Sequence, residues 1–175
     1  MKKLLTLLMA MVMLATAMLF VACGDTTKAY RDIVSIIKRQ GGQINYENYQ
    51  NNQFDNVKVT LYYDKALIFM ATVGSTTMNL HVDRDGDSVS YVYRNEQSKG
   101  YAVVMMDDDK EIEYVDVYEM VSGGNFTLIN QSHEKYQQFR DSAMENLTKC
   151  ENLFASVISQ ISNGKYTNLR QFLDE

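Results

Sequence analysis

The sequence predicts an α+β domain: a curved antiparallel β-meander of six to seven strands, packed against a long C-terminal helix, with a further helix at the N-terminal end. Three observations carry that expectation. Between Asn56 and Asn130 apolar residues recur with a period of two, and short turn signals interrupt the run. From Ser132 onward the apolar period lengthens to three or four residues. Proline is absent from the 175 residues, which favours long uninterrupted elements.

The first element is a helix over 26–40. Thr26 or Thr27 caps it, Ala29, Tyr30, Ile33, Val34, Ile36 and Ile37 recur at helical spacing, and Gly41-Gly42 ends it. Residues 43–56 (QINYENYQNNQFDN) are rich in Asn, Gln and Tyr and read as a polar loop, with room for a short strand at Ile44–Tyr46.

Strands follow over 57–130: Val57–Tyr62, Ala66–Val73, Thr76–Asp83, Ser88–Arg94, Tyr101–Met106, Glu111–Glu119 and Asn125–Asn130. Gly74-Ser75 and Asp85-Gly86 suit tight hairpins. Their turns predict a register in which Ala71, Phe69 and Leu67 oppose Met78, Leu80 and Val82. Met78, Leu80 and Val82 then oppose Tyr93, Tyr91 and Val89, so one face is apolar throughout. A tight turn after Met106 pairs Met105 with Ile112 and Val103 with Tyr114. At Tyr63-Asp64-Lys65 a two-residue turn would send Val57, Val59 and Leu61 to the wrong face, so a three-residue loop with a bulge is expected.

The second face is uneven. Lys58, Thr60, Thr77, Asn79, His81, Ser88 and Ser90 make one part polar. Ile68, Met70, Ala102, Val104, Met106, Val115 and Val117 make other parts apolar, which predicts a cover over those strands. A long helix over 133–162 carries the stripe Tyr136, Phe139, Ala143, Leu147, Cys150, Phe154, Val157 and Ile161, and Asn163-Gly164 stops it. A short helix over 167–174 completes the chain.

The chain opens differently. Lys2 and Lys3 precede Leu4–Val21, a run without charge, in the layout of a secretory signal. Its length approaches a membrane span, but the flank Ala22-Cys23-Gly24-Asp25-Thr26-Thr27 lacks the aromatic or basic anchors of a stop-transfer helix. The stretch Phe20-Val21-Ala22-Cys23-Gly24 resembles the lipobox of bacterial lipoproteins, with Phe20 where leucine is more usual. The resemblance implies a signal peptide over 1–22 and a single domain over 23–175 that begins at a diacylated Cys23. It further implies a body held on the extracytoplasmic side of a cell membrane, the outer membrane if the cell has two. Such an anchor is physically sufficient, because each buried methylene contributes about 0.8 kcal/mol and two chains hold stably.

Composition narrows the remaining possibilities. The formal charge is −5, and loss of Lys2 and Lys3 makes the rest more acidic still, so charge-driven binding of nucleic acid or of anionic lipid is not expected. With Cys23 acylated, Cys150 has no intramolecular disulfide partner and reads as a small apolar residue. No cofactor fingerprint, nucleophile elbow or metal-ligand spacing is present. Asp83-Arg84-Asp85-Gly86-Asp87 places Ser88 where an EF-hand loop needs glycine and Arg94 where it needs glutamate, so it reads as a hairpin turn rather than a metal site. Asp107-Asp108-Asp109-Lys110 likewise reads as a solvated turn. His81 and His133 belong to no ligand pair.

Tyrosines are the remaining suggestive feature. Tyr91, Tyr93, Tyr101, Tyr114 and Tyr118 are expected on the inner face, as core residues at the sheet margin or as the wall of a cleft. Tyr91, Tyr93, Tyr114 and Tyr118 are the candidate ligand-binding residues. The expected function is a non-enzymatic binding or interaction module with an envelope protein as partner. The alternative is a carrier of lipid or another apolar small molecule between sheet and helix. At fold level the latter is similar to bacterial lipoprotein and lipid carriers built as a half-barrel closed by helices, with no motif to carry residues across. An interaction patch is expected around Val104, Met106, Val115 and Val117.

Overall fold

The computed structural model describes residues 26–173. Residues 1–22 and Cys23, with the lipobox reading, lie outside the described residues.

Helix α1 (Lys28–Arg39) starts at Thr27, whose hydroxyl accepts from the Tyr30 backbone N–H, and ends into Gly41 at φ +90°. Eight strands follow in one antiparallel sheet: β1 (Gln43–Tyr49), β2 (Val57–Asp64), β3 (Ala66–Val73), β4 (Thr76–Val82), β5 (Ser88–Asn95), β6 (Gly100–Asp107), β7 (Ile112–Met120) and β8 (Phe126–Ile129). Their spatial order is their sequence order, and the sheet stays open with β1 and β8 at its edges. Helix α2 (Tyr136–Ile161) then crosses β4 to β7, and a short 3-10 helix (Leu169–Phe172) closes the described chain behind an Asn168 capping box.

The α+β meander with a helix at each end is therefore present, with eight strands rather than six or seven. The extra strand is β1, in a segment expected to be a loop. Ile44 and Tyr49 face the core and Tyr46 is half-buried, while the amide-rich positions between them stay in solvent. Asn45 accepts from the Thr60 hydroxyl at 2.9 Å, so even an outward amide supports the pairing with β2.

The β3–β4–β5 register is the expected one: Ala71, Phe69 and Leu67 face Met78, Leu80 and Val82, which face Tyr93, Tyr91 and Val89. At the β2–β3 turn the faces also hold, with Val57, Val59 and Leu61 buried. The connection is tighter than a three-residue loop. Pairing runs to Asp64↔Ala66, and Lys65 alone turns the chain at φ +62°.

Strands β6 and β7 differ from expectation. Asn95 pairs with Gly100 across the Glu96–Lys99 turn, which sets odd residues of β5 against even residues of β6. Tyr91 and Tyr93 thus oppose Val104 and Ala102, and the inner face continues through Ala102, Val104, Met106, Val115 and Val117. The β6–β7 pairing is offset by two residues from the expected one, to Met105↔Tyr114 and Val103↔Asp116, one residue of it from the bulge at Met105/Met106 and one from the turn before it. The demand for a cover over Val104, Met106 and Val117 is met by α2, on the opposite side from the one expected.

The core lies between sheet and helices. Helix α2 buries Tyr136, Phe139, Ala143, Leu147, Cys150, Leu153, Phe154, Val157 and Ile158, each fully buried large side chain contributing roughly 1.5–3 kcal/mol. Edge-to-face contacts run from the sheet through the helix to the 3-10 turn: Phe69–Phe154 at 5.5 Å and Phe154–Phe172 at 5.4 Å. Helix α1 covers β1 and β2 with Tyr30, Ile33 and Ile37, completing one continuous core.

Candidate functional site

The four tyrosines singled out by the sequence do not form one site. Tyr91 and Tyr93 face α2 and are buried, whereas Tyr114 is 49% exposed and Tyr118 is half-exposed on the other side of the sheet. The parity of the Glu96–Lys99 turn separates them. Tyr101 also faces outward, opposite Tyr118.

The space under α2 is filled. Tyr91 is wholly buried, and its hydroxyl has no hydrogen-bond partner. Burial first, then the nearby Cys150 and Tyr93, push its ionisation far above the ordinary phenol range. Cys150 is equally enclosed, and burial raises its thiol well beyond the range of a reactive cysteine. Neither group is placed to act as a nucleophile or base.

The outer face has a different character at its β6–β8 end. Tyr101 and Tyr118 stack with ring centroids 4.6 Å apart and planes 13° apart, and Phe126 meets Tyr101 edge-on at 5.0 Å. The Arg94 guanidinium lies 5.8 Å from the Phe126 ring centre, within cation–π reach. The exposed large apolar side chains found among the described residues, Ile112, Tyr114, Val121 and Leu128, all belong to this last hairpin and its flanks. The patch expected around Val104, Met106, Val115 and Val117 is not available, because these residues lie on the face that α2 covers.

Toward β2 and β4 the outer face becomes polar. His81 sits opposite Ile68 and Ser90, as its alternation predicts, and burial lowers its pKa. Asn79, between Met70 and Val92, has a covered side-chain oxygen without a partner. The Asp83–Asp87 segment is a turn, with the Asp83 carboxylate accepting from the Arg84 N–H at 2.8 Å and Gly86 at φ +78°.

Among the open clefts away from the outer sheet face, two are the larger. One, of about 460 Å³, is lined by Gln50, Asn51, Asn52, Gln53, Asn152 and Ser156 and is wholly uncharged. The other, of about 540 Å³, lies along α1 beside Tyr63 and Arg84 and is lined by basic residues. Sequence reading missed this second cleft, because Arg84 joins α1 only through the fold.

The sequence places Tyr101, Tyr114 and Tyr118 on the inner face, and the structure turns them outward, although one signal pointed there. Asp116 stands between Tyr114 and Tyr118 on one strand, and a face carrying an unpaired carboxylate cannot be core without several kcal/mol of penalty. That signal assigns both tyrosines to the water side. No protein family, no curated protein and no solved structure matches this chain.

Proposed function

We propose that the protein is a membrane-tethered extracytoplasmic lipoprotein that works as a non-enzymatic interaction module, docking an envelope protein on the outer face of β6–β8. The observation that carries this reading is the exposure of Tyr114 and Leu128 on the face that holds the Tyr101–Tyr118–Phe126 cluster, with Leu128 directly opposite Tyr118. Aromatic residues beside one arginine have the composition of binding hot spots. The address rests on the Cys23 lipobox resemblance, and among the described residues no helix is long and apolar enough to cross a membrane. Carriage of an apolar ligand has no comparable support, since the sheet–helix interface is occupied by Tyr91, Phe69, Phe154 and their neighbours.

The test is affinity purification of the full chain, in mild detergent, from the cells that make it, alongside L128D and Y114A/Y118A variants. The expected result is a protein partner retained by the unaltered chain and weakened at least about tenfold by either variant, with melting temperatures little changed. An identical set of proteins on all three chains would overturn the docking reading. Stoichiometric lipid in native mass spectra would favour carriage instead, and an unmodified Cys23 would remove the proposed address.

A further inference from the structure

The basic cleft along α1 has a composition that runs against the rest of the molecule. In a chain of formal charge −5, its lining among the described residues is Thr26, Tyr30, Arg31, Val34, Ser35, Lys38, Arg39, Tyr63 and Arg84, which includes four cations and no carboxylate. Arg31, Ser35 and Lys38 fall on one helical stripe, with Arg39 one turn beyond Ser35. Arg84 arrives from the β4–β5 turn.

Ordinary explanations cover only part of this set. Lys38 and Arg39 occupy the last turn of α1, where the helix dipole favours cations. Arg31 is in the opening turn, where the dipole disfavours them, and the first turn holds no acidic residue. Arg84 belongs to no helix. Among the described residues none of the four is in an ion pair: Arg31 donates to the Thr26 carbonyl, and Lys38 lies 5.0 Å from the Tyr63 ring centre. Asp32 beside Arg31 is already engaged by Lys28, Lys165 and Tyr166. The acidic neighbours of Arg84, Asp83 and Asp85, do not line the cleft.

The wall between these cations is aromatic. Tyr30 and Tyr63 meet edge-on at 6.4 Å, and the Tyr30 hydroxyl is covered without a well-formed hydrogen bond. Several unpaired guanidinium and ammonium groups around one open cleft repel each other, and an anion that bridges them removes that repulsion. Guanidinium forks match tetrahedral oxyanions with two parallel hydrogen bonds each.

We propose that this cleft is a binding site for a phosphate group, held by Arg31, Lys38, Arg39 and Arg84 against the Tyr30–Tyr63 wall. Two sources present that chemistry: a phospholipid headgroup, or a phosphate-bearing molecule in solution. Thr26 is three residues from Cys23, so the cleft's rim is within about 11 Å of that position along the chain. On the lipid-anchor reading, that distance puts the site in the headgroup layer. The site is independent of the outer-face docking surface, with which it shares no residue.

The experiment is isothermal titration calorimetry of the full chain in micelles of an uncharged detergent. The titrants are inorganic phosphate, dihexanoyl phosphatidylglycerol and, as a zwitterionic reference, dihexanoyl phosphatidylcholine. Saturable binding of inorganic phosphate or phosphatidylglycerol, tighter than phosphatidylcholine and weakened at least about tenfold in R39Q/R84Q, is expected. Phosphatidylglycerol alone assigns the lipid source, and inorganic phosphate alone assigns a soluble ligand. K38Q serves as a second variant, and melting temperatures confirm that each variant folds. Absence of saturable heat with both anions, or unchanged binding in both variants, overturns the proposal.

Discussion

At the scale of single residues, Gly100 shows how closely sheet and helix approach. A methyl group there would sit 2.2 Å from the tip of the Phe139 ring, with two further ring atoms inside 3 Å. Phe139 is itself buried in the core stripe of α2 and has little room to retreat. G100A should therefore destabilise the protein by about 1–3 kcal/mol, the usual cost of overpacking, measured by urea denaturation. An unchanged midpoint would mean that α2 rides higher over β6 than described. Tyr91 illustrates the limit of reading single residues from sequence. Its alternation with Val89 and Tyr93 places it inside, but nothing local reveals that its hydroxyl ends without a partner. That outcome depends on Cys150 and α2 arriving from far along the chain.

At the scale of elements, turn length decided what was legible. Short turns at Gly74-Ser75 and Asp85-Gly86 carried the register of β3, β4 and β5 in their own residues. Strand β6 (GYAVVMMD) offers apolar side chains on both faces, so its periodicity is silent, and the Glu96–Lys99 turn sets the parity. Strand β1 was obscured in another way, because its Asn and Gln content outweighed the spacing of Ile44, Tyr46 and Tyr49. The face assignment of β7 is open to a paired test. V117D places a carboxylate under α2 and should cost about 3 kcal/mol or more. Y114S alters an exposed position of the same strand and should stay within about 0.5 kcal/mol. Comparable losses in the two variants, by chemical denaturation, would reverse the faces.

At the scale of the whole molecule, the ends of the described chain are clipped together. Asp32 of α1 accepts from the Tyr166 hydroxyl at 2.6 Å and pairs with Lys165 and Lys28. The Lys165 and Tyr166 hydrogen bonds hold its carboxyl far below the ordinary value of 3.8. A carboxyl held low in the folded state stabilises it at every pH above the unfolded value, and that contribution fades as acid protonates it. D32N should thus melt at a lower temperature than the unaltered chain at pH 7, and the gap should close as the pH is taken below about 3. A gap that persists in acid would show that the clip works through packing instead. None of this clip was readable in advance, because its partners are separated by most of the sequence. The order of elements has a consequence of its own. During synthesis or export all eight strands emerge before α2, so Leu67, Phe69, Tyr91 and Val104 wait with their apolar surface bare until the last helix arrives. A folding helper that shields that half-finished sheet would spare the nascent chain from sticking to its neighbours.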